Sequence, residues 1–383
     1  MNLFPFDEGD CAKLAAEHGT PCFVYRRATA EASYHALRAA LPTRVRIAYA
    51  VKANPHPDLL ACFARLGASF DCASIGELDR VAALNLPQGR CFFAGPGKRE
   101  SELKRALELK VRVQAEGWED LARLDALATS EVAVNLRVHP LGVEEGSRIL
   151  GGSGPSAFGV DEEAVPELLA VAAALKHVRI RGLHAFAASN QRDARALLAI
   201  HARIFELAKR LHLDHGLQLE HLDLGGGLGV PYAEGESPLN LEAFGAGLSE
   251  LLNRHDWFTG ELILEPGRFL AAPCGVYLAR VVRVKESRGA RFAVLEGGLN
   301  HLLRPALTGQ PFPVRAIGKD GALHRTILAG PLCTSLDRLG DVDLPQLAPG
   351  DLLAFGMTGA YGATEAMTHF LSHPPAVEAW IEG

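Results

Sequence analysis

The stretch RIAYAVKANPHPDLLACFARLGASFDC, Arg46–Cys72, decides the fold. It opens with a short apolar run, Ile47–Val51, strand-like in length and composition. Pro57–Leu66 then carries apolar residues at helical spacing, and a second brief apolar run, Ser69–Cys72, follows. Strand, helix and strand in quick succession make a βαβ unit, because two parallel neighbours need a crossover between them.

Outward from this unit the same alternation runs from about residue 25 to residue 265. Further candidate strands are Cys91–Ala94, Val111–Ala115, Val132–Val138, Ile180–Phe186, Leu219–Leu224 and Leu262–Leu264. Helical patterns separate them at Ile75–Leu84, Glu100–Leu109, Trp118–Leu127, Glu162–Leu175 and Asp193–His212. Eight strands alternating with helices point to the α/β class and a (β/α)8 TIM barrel. A doubly wound open sheet gives the same alternation. The count of eight, and the lack of a Gly-x-Gly-x-x-Gly turn after the first strand, favour the barrel.

Past Pro266 the texture changes. Gly275–Val284, Arg291–Leu295, Pro313–Ile317 and Asp351–Phe355 are β-branched segments between turns, and helical periodicity nearly disappears. This reads as a second, mostly β barrel domain. The expected division is a barrel over residues 26–265 and a β domain over 266–383 that residues 1–25 complete. Gly151–Gly154 is the one candidate flexible loop.

The 383 residues, 48% hydrophobic and 22% charged, suffice for two domains with cores of their own. A net charge of −6 with scattered basic residues leaves no footprint for nucleic acid and no patch for an anionic membrane. No run of about 18 apolar residues occurs, and MNLFPFDEGD carries acids where a secretory signal carries basic residues. The seven cysteines are dispersed and form no Cys-x-x-Cys pair. They argue against a disulfide framework and a metal site, and fit a reducing, cytoplasmic setting.

In a barrel of this kind functional side chains project from the C-terminal ends of the strands. Those positions hold Lys52, Asp71, the turn Gly95–Lys98, Glu116, Arg137, Phe186–Ser189, Gly225–Gly227 and Glu265. Lys52 ends an apolar strand, where partial desolvation favours the neutral amine needed for imine formation. The bland alternative is a snorkelling surface lysine. Gly225–Gly227 lets backbone N–H groups converge on a phosphate, in the loop where such barrels seat one; in isolation it is a turn. Glu265 can keep a pyridine nitrogen protonated, or pair with Arg268 at its turn.

In order along the chain, YAVKAN, FDCASIGEL, GLHAFAAS, LDLGGGLG, EPGRFL, EGGLNHLLRPAL, GPLCTSLD and GAYGA appear. Together they resemble the fold-type-III pyridoxal-phosphate decarboxylases, the group of diaminopimelate, ornithine and arginine decarboxylases. The resemblance implies pyridoxal 5′-phosphate as cofactor, a small amino-acid-type substrate, and a homodimer with shared active sites. It implies that Lys52 holds the cofactor as a Schiff base, with Asp71 and Phe186 beside it. Gly226, Gly227 and Ser189 would bind the phosphate, with Arg268 completing the seat and Tyr361 reaching the same end. Glu265 would face the ring nitrogen. Cys333 would come from the partner subunit and return a proton, although a structural cysteine is the general default.

The match has departures. Phe186 stands where the family places a ring-stacking histidine, with His184 two residues earlier, and Ala157 replaces a usual lysine. On the substrate side, Arg137 and Glu296 are candidates, Glu296 standing where an aspartate meets a distal amine. Thr334 replaces an acid that holds a distal ammonium. Arg304 matches an arginine that grips a distal carboxylate, or is simply an exposed arginine, and Thr308 replaces a tyrosine. These changes imply a substrate with a distal carboxylate or a bulky conjugate, of the kind met in siderophore or peptide-antibiotic assembly. Diaminopimelate or a basic amino acid is the alternative. Three other readings stay open. A racemase on this fold would want an arginine at the ring nitrogen. A silent cofactor-binding regulator could dispense with Lys52 or Cys333. A nucleotide-binding protein using GGGLG would leave the other motifs unexplained.

Overall fold

The computed structural model describes residues 2–141, 154–186 and 188–383. Two compact units divide the chain: Tyr34–Gly229 with Leu239–Gly267, and Met1–Ser33 with Val230–Pro238 and Arg268–Gly383.

The first unit is built on eight strands: β1 (Val45–Ala50), β2 (Ser69–Cys72), β3 (Cys91–Phe93), β4 (Arg112–Ala115), β5 (Val132–His139), β6 (Val178–His184), β7 (His221–Asp223) and β8 (Glu261–Leu264). Each pairs in parallel with the next. β8 then pairs with β1 and closes the barrel. Helices cover the outside, so a strand such as β2 is buried along its whole length. Local chemistry starts and stops these helices. Ser74 caps Ile75–Ala82 by accepting from Glu77 N–H, Pro57 opens Pro57–Arg65, and left-handed Gly216 ends Ala194–His215.

Several boundaries differ from the sequence reading. β1 stops at Ala50, and Lys52 sits in a 3-10 turn, Val51–Ala53, just beyond it. β6 stops at His184, which leaves Phe186 on a loop. The single helix expected over Glu162–Leu175 is a 3-10 turn, Glu162–Ala164, followed by Val165–Ala172, with a proline in the new helix's first turn. Helices Arg27–Ala40 and Leu241–Arg254 lie outside the segments named from the sequence. Residues 151–153 of the candidate flexible loop fall outside the described residues.

The second unit is mostly β. Its main sheet runs Val314–Ala316, Leu352–Phe355, Gly275–Ser287, Ala290–Leu295, His324–Ala329, Arg338–Leu344. The N-terminal strand Cys22–Arg26 pairs antiparallel with Gly275–Leu278 and parallel with Val377–Ile381. Among the strands not named from the sequence, His324–Ala329 and Arg338–Leu344 carry polar residues, whereas Cys22–Arg26 is apolar and buried. Arg338–Leu344 alternates exposed and buried positions at a sheet edge, so charge interrupts its apolar signal. Cys22, Val24, Val276, Leu278 and Ala354 build part of this unit's core. All seven cysteines are free. Among the described residues no helix is long and apolar enough to cross a membrane.

Candidate active site

Lys52 stands at the C-terminal mouth of the barrel with Nζ 2.8 Å from Asp71 Oδ2. Its side chain is partly buried, 40% exposed, and is salt-bridged to a buried acid, a partner the sequence reading did not name. Register explains the pair, since Asp71 on β2 lies opposite Ala50, two residues before Lys52. Phe186 offers its ring 5.8 Å from the same nitrogen.

Deeper in the barrel lies a polar network. Gln114 on β4 donates from Nε2 to Glu265 Oε1 at 2.9 Å and to Asp223 Oδ2 at 3.1 Å. β4 does not neighbour β7 or β8, so these bonds cross the barrel interior. His184 Nε2 lies 3.3 Å from Glu265 Oε2, and Gly225 N–H donates to Asp223 Oδ1 at 2.9 Å. Gln114, His184, Asp223 and Glu265 are all buried. Burial works against ionising Glu265, but the neighbouring His184, Lys52 and Asp223 hold its carboxyl below the usual range. Asp223 moves the other way: burial, then the adjacent Glu265 carboxylate, push it well above the ordinary carboxyl range. Burial and Glu265 also raise Asp71, with Lys52 opposing. His184, Asp223 and Glu265 lie close enough to approach one metal ion, yet the Gln114 amide already spans both carboxyls as a donor. The set is built for hydrogen bonds.

The triple glycine follows β7. Gly225 and Gly227 hold positive φ, 66° and 91°, and a Cβ on Gly226 would lie 2.4 Å from the Glu265 carbonyl oxygen. A Cβ on Gly227 would meet Ala188 at 2.7 Å. Gln191 N–H donates to Gly227 O at 2.8 Å, so the loop that bears Ser189 is laced to the glycine loop. Only glycine allows this approach.

Arg137 forms a buried ion pair with Glu116 at 2.8 Å, and its guanidinium stacks 4.5 Å over Phe158. Glu116 also accepts from Gly95 and Gly159 N–H. The expected substrate contact of Arg137 therefore meets a side chain already committed to holding loops.

The second unit carries the other candidates. Arg268 and Arg304 are buried, with guanidinium carbons 4.9 and 4.8 Å from the ring centre of Tyr361. Tyr361 itself holds φ at 58°, a strained value for a tyrosine. Arg268 donates to Tyr232 Oη at 2.7 Å. Arg304 Nη1 donates to Glu365 Oε2 at 2.7 Å. The guanidinium expected to grip a distal carboxylate therefore already holds an internal one. Glu296 accepts from Arg280 N–H at 2.7 Å and braces the sheet, which occupies it elsewhere than the expected substrate contact. Cys333 is exposed. Thr334 Oγ1 accepts from Leu336 N–H. Asp337 pins this loop by accepting from Leu299 and Leu332 N–H, both at 2.7 Å.

Sequence reasoning missed Gln114, Asp223, Glu365 and Asp337. The signal for Gln114 and Asp223 was a polar residue at an inward position of a short strand; Glu365 carried none.

Pyridoxal phosphate fits the barrel residues. An amine, an ionised buried carboxylate, an aromatic face and a glycine loop converge, and Asp71 Oδ1 is buried without a partner among the described residues. The comparisons agree. Residues 27–272 match the family model for the pyridoxal binding domain of pyridoxal-dependent decarboxylases. A Vibrio cholerae diaminopimelate decarboxylase is 34% identical over 97% of this chain and 90% of its own. The L-glutamyl-[BtrI acyl-carrier protein] decarboxylase of Niallia circulans is 30% identical over 99% of this chain and 92% of its own. The crystal structure of Helicobacter pylori diaminopimelate decarboxylase complexed with L-lysine superposes with a TM-score of 0.89 at 28% identity, covering 97% of this chain and 94% of that one. The chain belongs to the pyridoxal-dependent decarboxylases, enzymes that act on amino acids with pyridoxal phosphate as cofactor.

Proposed function

We propose that this decarboxylase removes the α-carboxylate of an amino acid whose far end is conjugated, such as an aminoacyl thioester, in preference to a free diamino acid. The pairing of Arg304 with Glu365 at 2.7 Å carries this reading. A substrate with a free distal carboxylate would have to displace an internal one, and Thr334 offers no charge to a distal ammonium. The Niallia relative, whose name gives an aminoacyl carrier protein as substrate, supports the same class. The diaminopimelate decarboxylases among the relatives favour a second reading, diaminopimelate itself.

Bound pyridoxal phosphate supplies an electron sink for the pair left when carbon dioxide departs. Lys52 would hold the cofactor's aldehyde carbon, and Asp71 keeps the amine oriented. Glu265, anionic among His184, Gln114 and Asp223, would face the ring nitrogen and keep it cationic. Phe186 would cover the ring without offering a titratable group there. Gly226, Gly227 and Ser189 would seat the phosphate. Cys333 Sγ would deliver the returning proton to the substrate in a second copy of the chain, making the functional unit a dimer.

Carbon dioxide release decides the substrate class. The panel comprises meso-diaminopimelate, L-lysine, L-ornithine, L-glutamate and L-glutamyl pantetheine thioester. The thioester is expected to exceed diaminopimelate by about 100-fold or more in kcat/KM. Efficient, selective turnover of diaminopimelate would overturn the reading.

A further inference from the structure

We propose that Asp223 is a positioning residue that stays protonated in the working enzyme and donates its carboxyl hydrogen to Glu265, with Gln114 clamping both, so that Glu265 alone carries the charge. The proposal deepens the role given above to Glu265 as partner of the ring nitrogen, and rests on it.

Charge accounting leads there. Three buried carboxyl groups cluster around Lys52, Gln114 and His184: Asp71, Asp223 and Glu265. The cations that face them number at most two. Lys52 is 2.8 Å from Asp71, and His184, when it carries two protons, is 3.3 Å from Glu265. The groups that hydrogen-bond Asp223 are neutral donors, Gly225 N–H at 2.9 Å and the Gln114 amide at 3.1 Å, while His184, within 4.8 Å of both carboxyls, makes its ion-pair contact with Glu265. An amide can give a hydrogen to each of two carboxyls but cancels the charge of neither. Two adjacent buried carboxyls cannot both ionise cheaply, and the proton settles on the one without a cation. Gly225 N–H takes Asp223 Oδ1, which leaves Oδ2 to carry the proton.

The directions in which burial and neighbours move the two groups agree with this placement, Asp223 upward and Glu265 downward. Its purpose is electrostatic. A neutral acid beside Glu265 spends a hydrogen bond on the anion, while a second anion would raise the proton affinity of Glu265, the group that would face the ring nitrogen.

The test uses the cofactor-loaded enzyme and needs no turnover. Wild-type protein at neutral pH should show a protonated-carboxyl carbonyl band in its infrared spectrum, and Asp223→Asn should lack it. Because asparagine mimics the neutral acid, D223N should keep the visible absorption band of the cofactor and bind it within about tenfold of wild type. D223A, which removes the donor, should bind distinctly more weakly, and Glu265→Gln should both weaken cofactor binding and alter the visible band. Absence of the protonated band in wild type overturns the proposal, as does a D223N protein as impaired in cofactor binding and absorption as E265Q. The infrared result stands whichever amino acid the enzyme turns over, so it fails separately from the substrate reading.

Discussion

Around Lys52 and His184 the barrel gathers three of its buried carboxyl groups, Asp71, Asp223 and Glu265. The β unit instead buries two guanidiniums, Arg268 and Arg304, against one tyrosine ring and the half-exposed carboxylate of Glu365. Acid exceeds base in the first region and base exceeds acid in the second. Buried charge survives only when matched, so the first cluster suits a cation and the second suits an anion. Protonating Asp223 trims the first excess, and Glu365 trims the second. The same problem is solved once with a proton and once with a side chain.

The largest effect should follow from breaking the barrel side of this contrast. Lys52→Ala is expected to abolish turnover and the borohydride-reducible colour, as read by peptide mapping after reduction; label on another lysine would show that the mouth of the barrel is misassigned. Next comes the β unit. Glu365→Ala frees Arg304, so the affinity for L-glutamate or diaminopimelate should rise about tenfold, the equivalent of one competing charged hydrogen bond. Calorimetry measures it, and an unchanged affinity would mean that Arg304 does not face the substrate. The smallest effect sharpens the comparison by leaving it alone. His201 is fully buried on the helix Ala194–His215, edge-on to Phe244, and burial lowers its pKa from 6.5 to about 3. As pH falls below 6.5 the unfolded chain takes up a proton that the folded chain refuses, so stability is lost between pH 6.5 and about 3, at up to about 1.4 kcal/mol per pH unit. His201→Phe should remove one proton's share of that slope in denaturant titrations. The pH profile of activity should not move.

The sequence made the barrel legible because each strand–helix alternation announces itself locally, and strand ends therefore marked Lys52 and Glu265. What lay across the barrel was hidden. Nothing near Gln114 in sequence indicates that it bridges Asp223 and Glu265, since those bonds span residues 114 to 265. Arg304 was visible as a charge, but its counter-ion 61 residues later was not. The strand Arg338–Leu344, at the edge of its sheet, escaped for a different reason: exposed charged positions interrupt its apolar ones. Short-range pattern locates elements; pairing of charges belongs to the fold.

The strand Cys22–Arg26 sits between residues 275–278 and 377–381. During synthesis it leaves the ribosome early, yet both of its neighbours are made late. Its edges thus stay open through most of translation, available to any foreign strand. A deletion that disturbs Val377–Ile381 would be felt at Cys22–Arg26, and yield on expression is where that coupling would first be noticed.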